Sequence, residues 1–174
     1  MTAPWTKLSE ESTRVGFRKL LKRLFRLPDG PEIEFVIKDE GFTVCVLAMN
    51  ENGKIILAEQ FRPGPELVLR ELPGGGVEED EPLEDAACRE LLEETGYAGD
   101  MQFVGKYHAC AYSNRVSHIF VATNCKRIAE PKLDEAERIN IVESGVEEFL
   151  FQLRKGELTD AAGAWMALSF LNIR

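Results

Sequence analysis

Short apolar runs separated by turn-forming residues dominate the middle of the chain. Residues 41–49, GFTVCVLAM, and 54–59, KIILAE, are rich in branched side chains and are joined by Asn50-Glu51-Asn52-Gly53. Asn-Gly between two such runs predicts a β-hairpin, because the tight turn needs positive φ values that these residues tolerate. Further strands are predicted at 32–38 (EIEFVIK), 67–71 (LVLRE), 101–107 (MQFVGKY), 117–122 (SHIFVA) and 138–142. Leu83, Ala87 and Leu91 recur one turn apart, with Pro82 suited to a first turn and Gly96 to termination, so a helix is predicted over about 82–95. Two more helices are predicted at about 145–154, after Ser144, and at about 160–171. This order predicts an α+β domain, with helices packed on a largely non-parallel sheet.

Residues 12–27 stay open. Phe17, Leu20, Leu21, Leu24 and Phe25 recur at helical spacing, and Arg18, Lys19, Lys22, Arg23 and Arg26 make the segment basic. A surface-active helix fits this pattern. A packed terminal element at a subunit contact fits it more plainly, because the rest of the chain is acidic.

At 174 residues and 44% hydrophobic content, the chain suits one domain with a sizeable core. Its net charge of −9 disfavours nucleic acid and anionic membranes as partners. An anionic substrate therefore needs local basic residues or metal ions. Cys45, Cys88, Cys110 and Cys125 lie far apart without paired metal-ligand spacing and are expected to be core thiols. No signal-peptide pattern opens the chain and no apolar run reaches about 18 residues, which predicts a soluble, cytoplasmic protein.

The helix over 82–95 ends in Arg89-Glu90-Leu91-Leu92-Glu93-Glu94-Thr95-Gly96. Glu90 and Glu94 share one face with Glu93 on the flank, and like charges at that spacing destabilise an isolated helix by roughly 0.2–0.5 kcal/mol per pair. A solvated acidic face is one explanation. A cation that completes the site is the other. Leu72-Pro73-Gly74-Gly75-Gly76 precedes the helix, and successive glycines let the backbone approach a ligand closely. Glu81, Glu90, Glu93 and Glu94 supply the hard oxygen donors that Mg²⁺ takes together with substrate phosphates. Arg89 stands one turn before Glu93 and is placed to pair with it.

Gly75, Glu81, Arg89-Glu90-Leu91, Glu93-Glu94 and Gly96-Tyr97, at these spacings, match the signature of the Nudix hydrolases at nine specified positions. The chain thus resembles that family. The resemblance implies a Nudix-type α/β/α sandwich with a mixed central sheet and divalent cations, Mg²⁺ or alternatively Mn²⁺, on the signature helix. It implies Glu90 and Glu94 as main metal ligands, assisted by Glu93 and the Gly74 carbonyl. Gly75, Glu81, Arg89 and Gly96 are its structural positions. The reaction implied is hydrolysis of a nucleoside diphosphate linked to another moiety.

Glu59-Gln60-Phe61-Arg62, Glu71-Leu72-Pro73-Gly74-Gly75, Leu27-Pro28-Asp29-Gly30 and Gly156-Glu157-Leu158-Thr159-Asp160-Ala161 are similar to the branch of pyrophosphatases that cleave ADP-ribose and nucleotide sugars. That likeness implies cleavage to a nucleoside monophosphate and a sugar phosphate. It also implies a homodimer built by an N-terminal antiparallel element, residues 1–40, beside a hydrolase domain over 41–174. Arg62 and Gln60 are candidate substrate contacts, and a structural ion pair is the alternative for Arg62. The segment His108 to Arg115 lacks the proline and glycine usual after the signature in ADP-ribose enzymes, so another nucleotide sugar is as good a candidate. Within it, Tyr112 is placed to stack a base and Arg115 to meet a phosphate. His108 and His118 stand apart from the acidic cluster and are expected in core or surface roles. A general base outside the signature is expected in the acidic loop Lys132 to Glu137: Glu135 first, Glu137 second, with Glu93 as the fallback. Two rivals stand beside this reading: a Nudix enzyme acting on nucleoside triphosphates or capped RNA, and a non-catalytic nucleotide-sugar-binding module.

Overall fold

The computed structural model describes residues 3–135 and 137–174. Nine strands and three helices lie among them: β1 Thr6–Val15, β2 Arg18–Arg26, β3 Glu32–Lys38, β4 Phe42–Asn50, β5 Ile55–Arg62, β6 Leu67–Glu71, α1 Leu83–Thr95, β7 Tyr97–His108, β8 Val116–Arg127, β9 Asn140–Ser144, α2 Val146–Lys155 and α3 Ala161–Phe170. None of the helices is long and apolar enough to cross a membrane. The chain forms two compact units, one comprising the N-terminal chain up to Phe42 with His108–Val116, the other Thr43–Tyr107 with Ser117–Arg174.

The first unit is built on an antiparallel sheet of order β1-β2-β3. The residues left open between helix and packed element therefore form the end of β1, the turn at Gly16 and β2, and a surface helix is excluded for them. Local helical spacing yields here to cross-strand pairing. Arg23 Nε meets Glu10 at 2.5 Å, Lys22 meets Glu34 at 2.8 Å and Arg26 meets Glu32 at 2.8 Å, so acids on the flanking strands neutralise the basic run. Trp5, Phe25 and Phe35 cluster on one face, with ring centroids 5.6–6.2 Å apart, and Tyr112 stacks on Phe35 at 6.2 Å.

A sheet of order β6-β5-β4-β8-β7, with β9 also paired to β5, forms the second unit. Strand periodicity sends alternate residues of β4 to opposite faces. Cys45 and Leu47 join Leu57, Ile119 and Val121 against Phe149, Leu150 and Leu153 of α2 and Ala164, Ala167 and Leu168 of α3. Val44, Val46 and Ala48 join Ile56, Phe120 and Ala122 against Ala86, Ala87 and Leu91 of α1. Both faces are covered, which is why β4 reads as an unbroken apolar run. The result is a mixed sheet between α1 on one side and α2 with α3 on the other.

The hairpin expected at Asn50 to Gly53 is present, with Asn50 N–H donating to Lys54 O at 2.9 Å and Gly53 at φ 72°. Pro82 caps α1 from outside, not within the first turn: its backbone is extended and its carbonyl accepts from Ala86 N at 3.0 Å. β7 and β8 outrun their apolar centres because polar side chains also pair there, as Asn124 does with Asp100 at 2.7 Å. Of the cysteines expected in the core, Cys45 and Cys125 are buried, but Cys88 and Cys110 are exposed. Cys88 shares the outer stripe of α1 with Glu84 and Asp85, and Cys110 lies in the segment between β7 and β8.

Candidate active site

The glycine loop lies along β4, where Val46 N–H donates to Pro73 O and Val44 N–H to Gly75 O, each at 2.9 Å. Side chains are excluded by contact on both sides. A Cβ on Gly74 would stand 2.2 Å from Val44 O, and one on Gly75 would stand 2.5 Å from a Glu90 carboxylate oxygen. The loop is thereby pressed between the sheet and the last two turns of α1. Gly96 ends the helix at φ 75°, its N–H donating to Leu92 O, a conformation that favours glycine.

Arg89 organises the carboxylates. Its Nε and Nη2 donate to the two oxygens of Glu81 at 2.7 and 2.9 Å, Nη1 donates to Glu90 at 2.8 Å and Glu93 at 3.1 Å, and Nη2 also reaches Gly76 O at 3.0 Å. The pairing with Glu93 was legible from helical spacing. The bidentate grip on Glu81, which lies just before the helix and eight residues from Arg89, was not. Arg89 holds the Glu81 carboxyl down to about 2, with help from the Glu78 N–H, so Glu81 is an anchored anion.

Glu94 is 5% exposed and accepts the Gly74 N–H at 2.9 Å. Burial pushes its carboxyl up to about 8; the Gly74 N–H opposes the rise, and the neighbouring charges of Glu90 and Glu137 add to it. Burial also raises Glu90, against the pull of Arg89. Glu90, Glu93 and Glu94 line one pocket with Gly74, Gly75, Gly76 and Arg89. Among the described residues, no three acidic, histidine or cysteine side chains converge closely enough to hold a metal ion by themselves. The donor set nevertheless fits Mg²⁺, which typically takes one or two protein carboxylates and fills its octahedron with water and phosphate oxygens. Desolvated, mutually repelling carboxylates are what such an ion relieves.

The acidic loop after β8 supplies the opposite wall. Lys132 N–H donates to Glu93 O at 2.8 Å, tying the loop to α1, and Lys132, Asp134 and Glu137 line the pocket. Glu137 also accepts the Asp134 N–H at 2.9 Å. Glu135 is exposed, and its carbonyl accepts from Arg138. Lys132 and Asp134 were not singled out from sequence, although they share the acidic loop with both candidates for the base.

Arg62 and Gln60 both bind Glu71, so the ion pair that the sequence allowed for Arg62 is present. Tyr112 and Arg115 belong to the first unit, where Tyr112 is exposed and the Arg115 N–H donates to Ser113 Oγ at 3.0 Å. His118 is buried in β8, as expected of a core histidine.

A family model described as NUDIX domain matches residues 40–167. An ADP-ribose pyrophosphatase of Bacillus subtilis (strain 168) is 32% identical over 151 residues, covering 85% of this chain and 81% of that protein. A methanol dehydrogenase activator of Bacillus methanolicus is 28% identical over the same shares of both chains. A solved structure, the crystal structure of an ADP compounds hydrolase, superposes with a TM-score of 0.82 at 19% identity, over 99% of this chain and 96% of that one.

Proposed function

Because the chain belongs to the Nudix hydrolase family, we propose that it hydrolyses the pyrophosphate bond of a nucleoside diphosphate sugar, ADP-ribose or a close relative, to a nucleoside monophosphate and a sugar phosphate. The observation that carries this reading is the set Glu90, Glu93 and Glu94 gathered at the glycine loop, with Glu94 desolvated and held by Gly74. Likeness to the Bacillus subtilis ADP-ribose pyrophosphatase supports the substrate class.

Glu90 and Glu94, with Glu93 and the Gly74 carbonyl, would hold Mg²⁺, with Mn²⁺ as the alternative. When bound, the ion neutralises the pyrophosphate and lowers the pKa of a water. Arg89 keeps Glu90 and Glu93 in fixed rotamers and Glu81 keeps Arg89 in place. Carboxylates committed to a cation are poor proton acceptors, so the base is assigned to the facing loop. Glu137 is the better candidate than Glu135, because it lines the pocket and its charge is felt at Glu90 and Glu94. The N-terminal element is proposed to build a homodimer.

The test is incubation with Mg²⁺ and a panel of ADP-ribose, ADP-glucose, GDP-mannose, UDP-glucose, NADH and nucleoside triphosphates, with products identified. A nucleoside monophosphate released from a nucleotide sugar is expected. Faster consumption of the triphosphates than of every sugar derivative would overturn the reading.

A further inference from the structure

Two cations line the acidic pocket, Arg89 and Lys132, and they differ in what their neighbours leave them to do. All three nitrogens of the Arg89 guanidinium are engaged, by Glu81, Glu90, Glu93 and the Gly76 carbonyl. Lys132 is exposed, and among the described residues no carboxylate pairs with it. The acids around it are held elsewhere: Glu90 and Glu93 by Arg89, Glu94 by the Gly74 N–H and Glu137 by the Asp134 N–H. Asp134, two residues along the loop, is engaged through its main chain, whose N–H and carbonyl close a turn with Glu137.

The backbone of Lys132 is fixed by the end of α1, where the last carbonyls lack intrahelical donors. The Glu93 carbonyl would take the Tyr97 N–H, but Thr95 Oγ1 accepts that donor at 3.2 Å, and the Lys132 N–H fills the place at 2.8 Å. Gly96 O accepts from Ile128 N at 2.9 Å and from Ala129 N at 3.2 Å, and Pro131 stiffens the chain directly before the lysine. Lys132 is therefore mounted on the part of the loop that α1 holds, ahead of the turn from Asp134 to Glu137. Its three donors stand on a flexible stem above a fixed anchor. The pocket has use for them: five carboxylates against one fully engaged guanidinium repel a pyrophosphate, and a divalent ion offsets only the carboxylates that ligate it.

We propose that Lys132 binds a non-bridging oxygen of the substrate pyrophosphate from the wall that faces α1, as a substrate-binding residue separate from the metal ligands. The proposal rests on the pyrophosphatase reading. The contact is made in the bound substrate as well as in the transition state, so its loss falls on KM more than on kcat.

The test compares wild type with Lys132→Met, Lys132→Arg and Asp134→Asn in steady-state hydrolysis of ADP-ribose with Mg²⁺ and in calorimetric titration with inorganic pyrophosphate and Mg²⁺. Lys132→Met keeps the stem and the main-chain bond to Glu93 but removes the charge. KM should rise about tenfold with kcat within about threefold of wild type, and pyrophosphate should bind about tenfold more weakly, the order lost with one charge-assisted hydrogen bond. Lys132→Arg should restore both to within about threefold. The melting temperature should stay within about 2 °C, since the side chain is exposed. In about 0.5 M KCl, where the Debye length is about 4 Å, the loss in Lys132→Met should persist, because a direct contact is screened little. A lysine that acts only through the general field of the pocket would have its effect mirrored by a gain in Asp134→Asn, and both effects would vanish in that salt, which would overturn the proposal. Wild-type KM and pyrophosphate affinity in Lys132→Met would overturn it as well. If wild type cleaves no nucleotide sugar, the functional reading fails by itself. The pyrophosphate titration then decides the role of Lys132, and wild-type protein that binds no pyrophosphate refutes it.

Discussion

Replacing Glu94 by Gln should stabilise the metal-free protein at alkaline pH while removing its response to Mg²⁺. Glu94 is 5% exposed, and burial pushes its carboxyl up to about 8 in the folded chain from an ordinary 4.5. Between these values the folded state keeps a proton that the unfolded state has released. Linkage then makes stability fall with rising pH: the contribution is fully present below about pH 4.5 and is lost as pH passes through about 8. At about 1.36 kcal/mol per pKa unit the full swing is about 5 kcal/mol, an upper bound because water and counter-ions relieve part of the burial. Glu90, shifted in the same direction, adds to the fall. Glutamine imitates the protonated carboxyl, since its carbonyl oxygen still accepts the Gly74 N–H and nothing titrates. In EDTA at pH 8 the variant should therefore melt above wild type, by roughly 10 °C for about 3–5 kcal/mol in a chain of this size, and the two should converge at pH 5. Mg²⁺ should raise the wild-type melt at pH 8 and leave the variant nearly unchanged, because metal binding stabilises only the state that offers the charged ligand. The assay is a thermal melt of both proteins from pH 5 to pH 8, with EDTA and with Mg²⁺. A variant that melts at or below wild type at pH 8 in EDTA would refute the argument from desolvation, and an equal Mg²⁺ response would refute the assignment of Glu94 as a ligand.

Glu137→Gln should lower kcat about 10²–10⁴-fold with the Mg²⁺-induced rise in melting temperature retained, whereas Glu135→Gln stays near wild type; the reverse pattern in single-turnover kinetics would return the role to Glu135. Gly75→Ala places a methyl group 2.5 Å from the Glu90 carboxylate, which must swing away, so Mg²⁺ affinity by calorimetry should fall about tenfold while the melt moves little. Gly96→Ala combines φ 75° with a Cβ 2.1 Å from Ala129 O, a backbone atom that cannot yield, and should cost about 2–4 kcal/mol in urea denaturation. Light scattering at micromolar concentration should give a dimer mass, and a monomer would count against the N-terminal element as a subunit contact.

Features that depend on neighbours in sequence were legible without coordinates. The hairpin at Asn52-Gly53, the span of α1, the Arg89 to Glu93 pair and the gathering of Glu90 and Glu94 all follow from turn chemistry and the helical repeat, which act over four residues or fewer. The apolar run of β4 likewise announced a strand, whereas its burial on both faces follows from the helices packed on either side of the sheet. What needed the tertiary structure was every choice made by residues distant in the chain. The basic segment before Leu27 became a strand because Glu10, Glu32 and Glu34 lie across from it, and no local rule specifies such partners. Cys88 fell outside the core by its azimuth on α1, and Arg62 became half of an ion pair because β5 and β6 are in a register that puts Glu71 on its face. The choice of Glu137 over Glu135 at the pocket wall depends on how one loop folds back onto α1. The depth at which Glu94 sits, and hence its affinity for a proton or a cation, depends on the sheet and glycine loop that exclude water from it. Sequence spacing determined which carboxylates meet; burial, a property of the whole packed unit, decided what their charges cost.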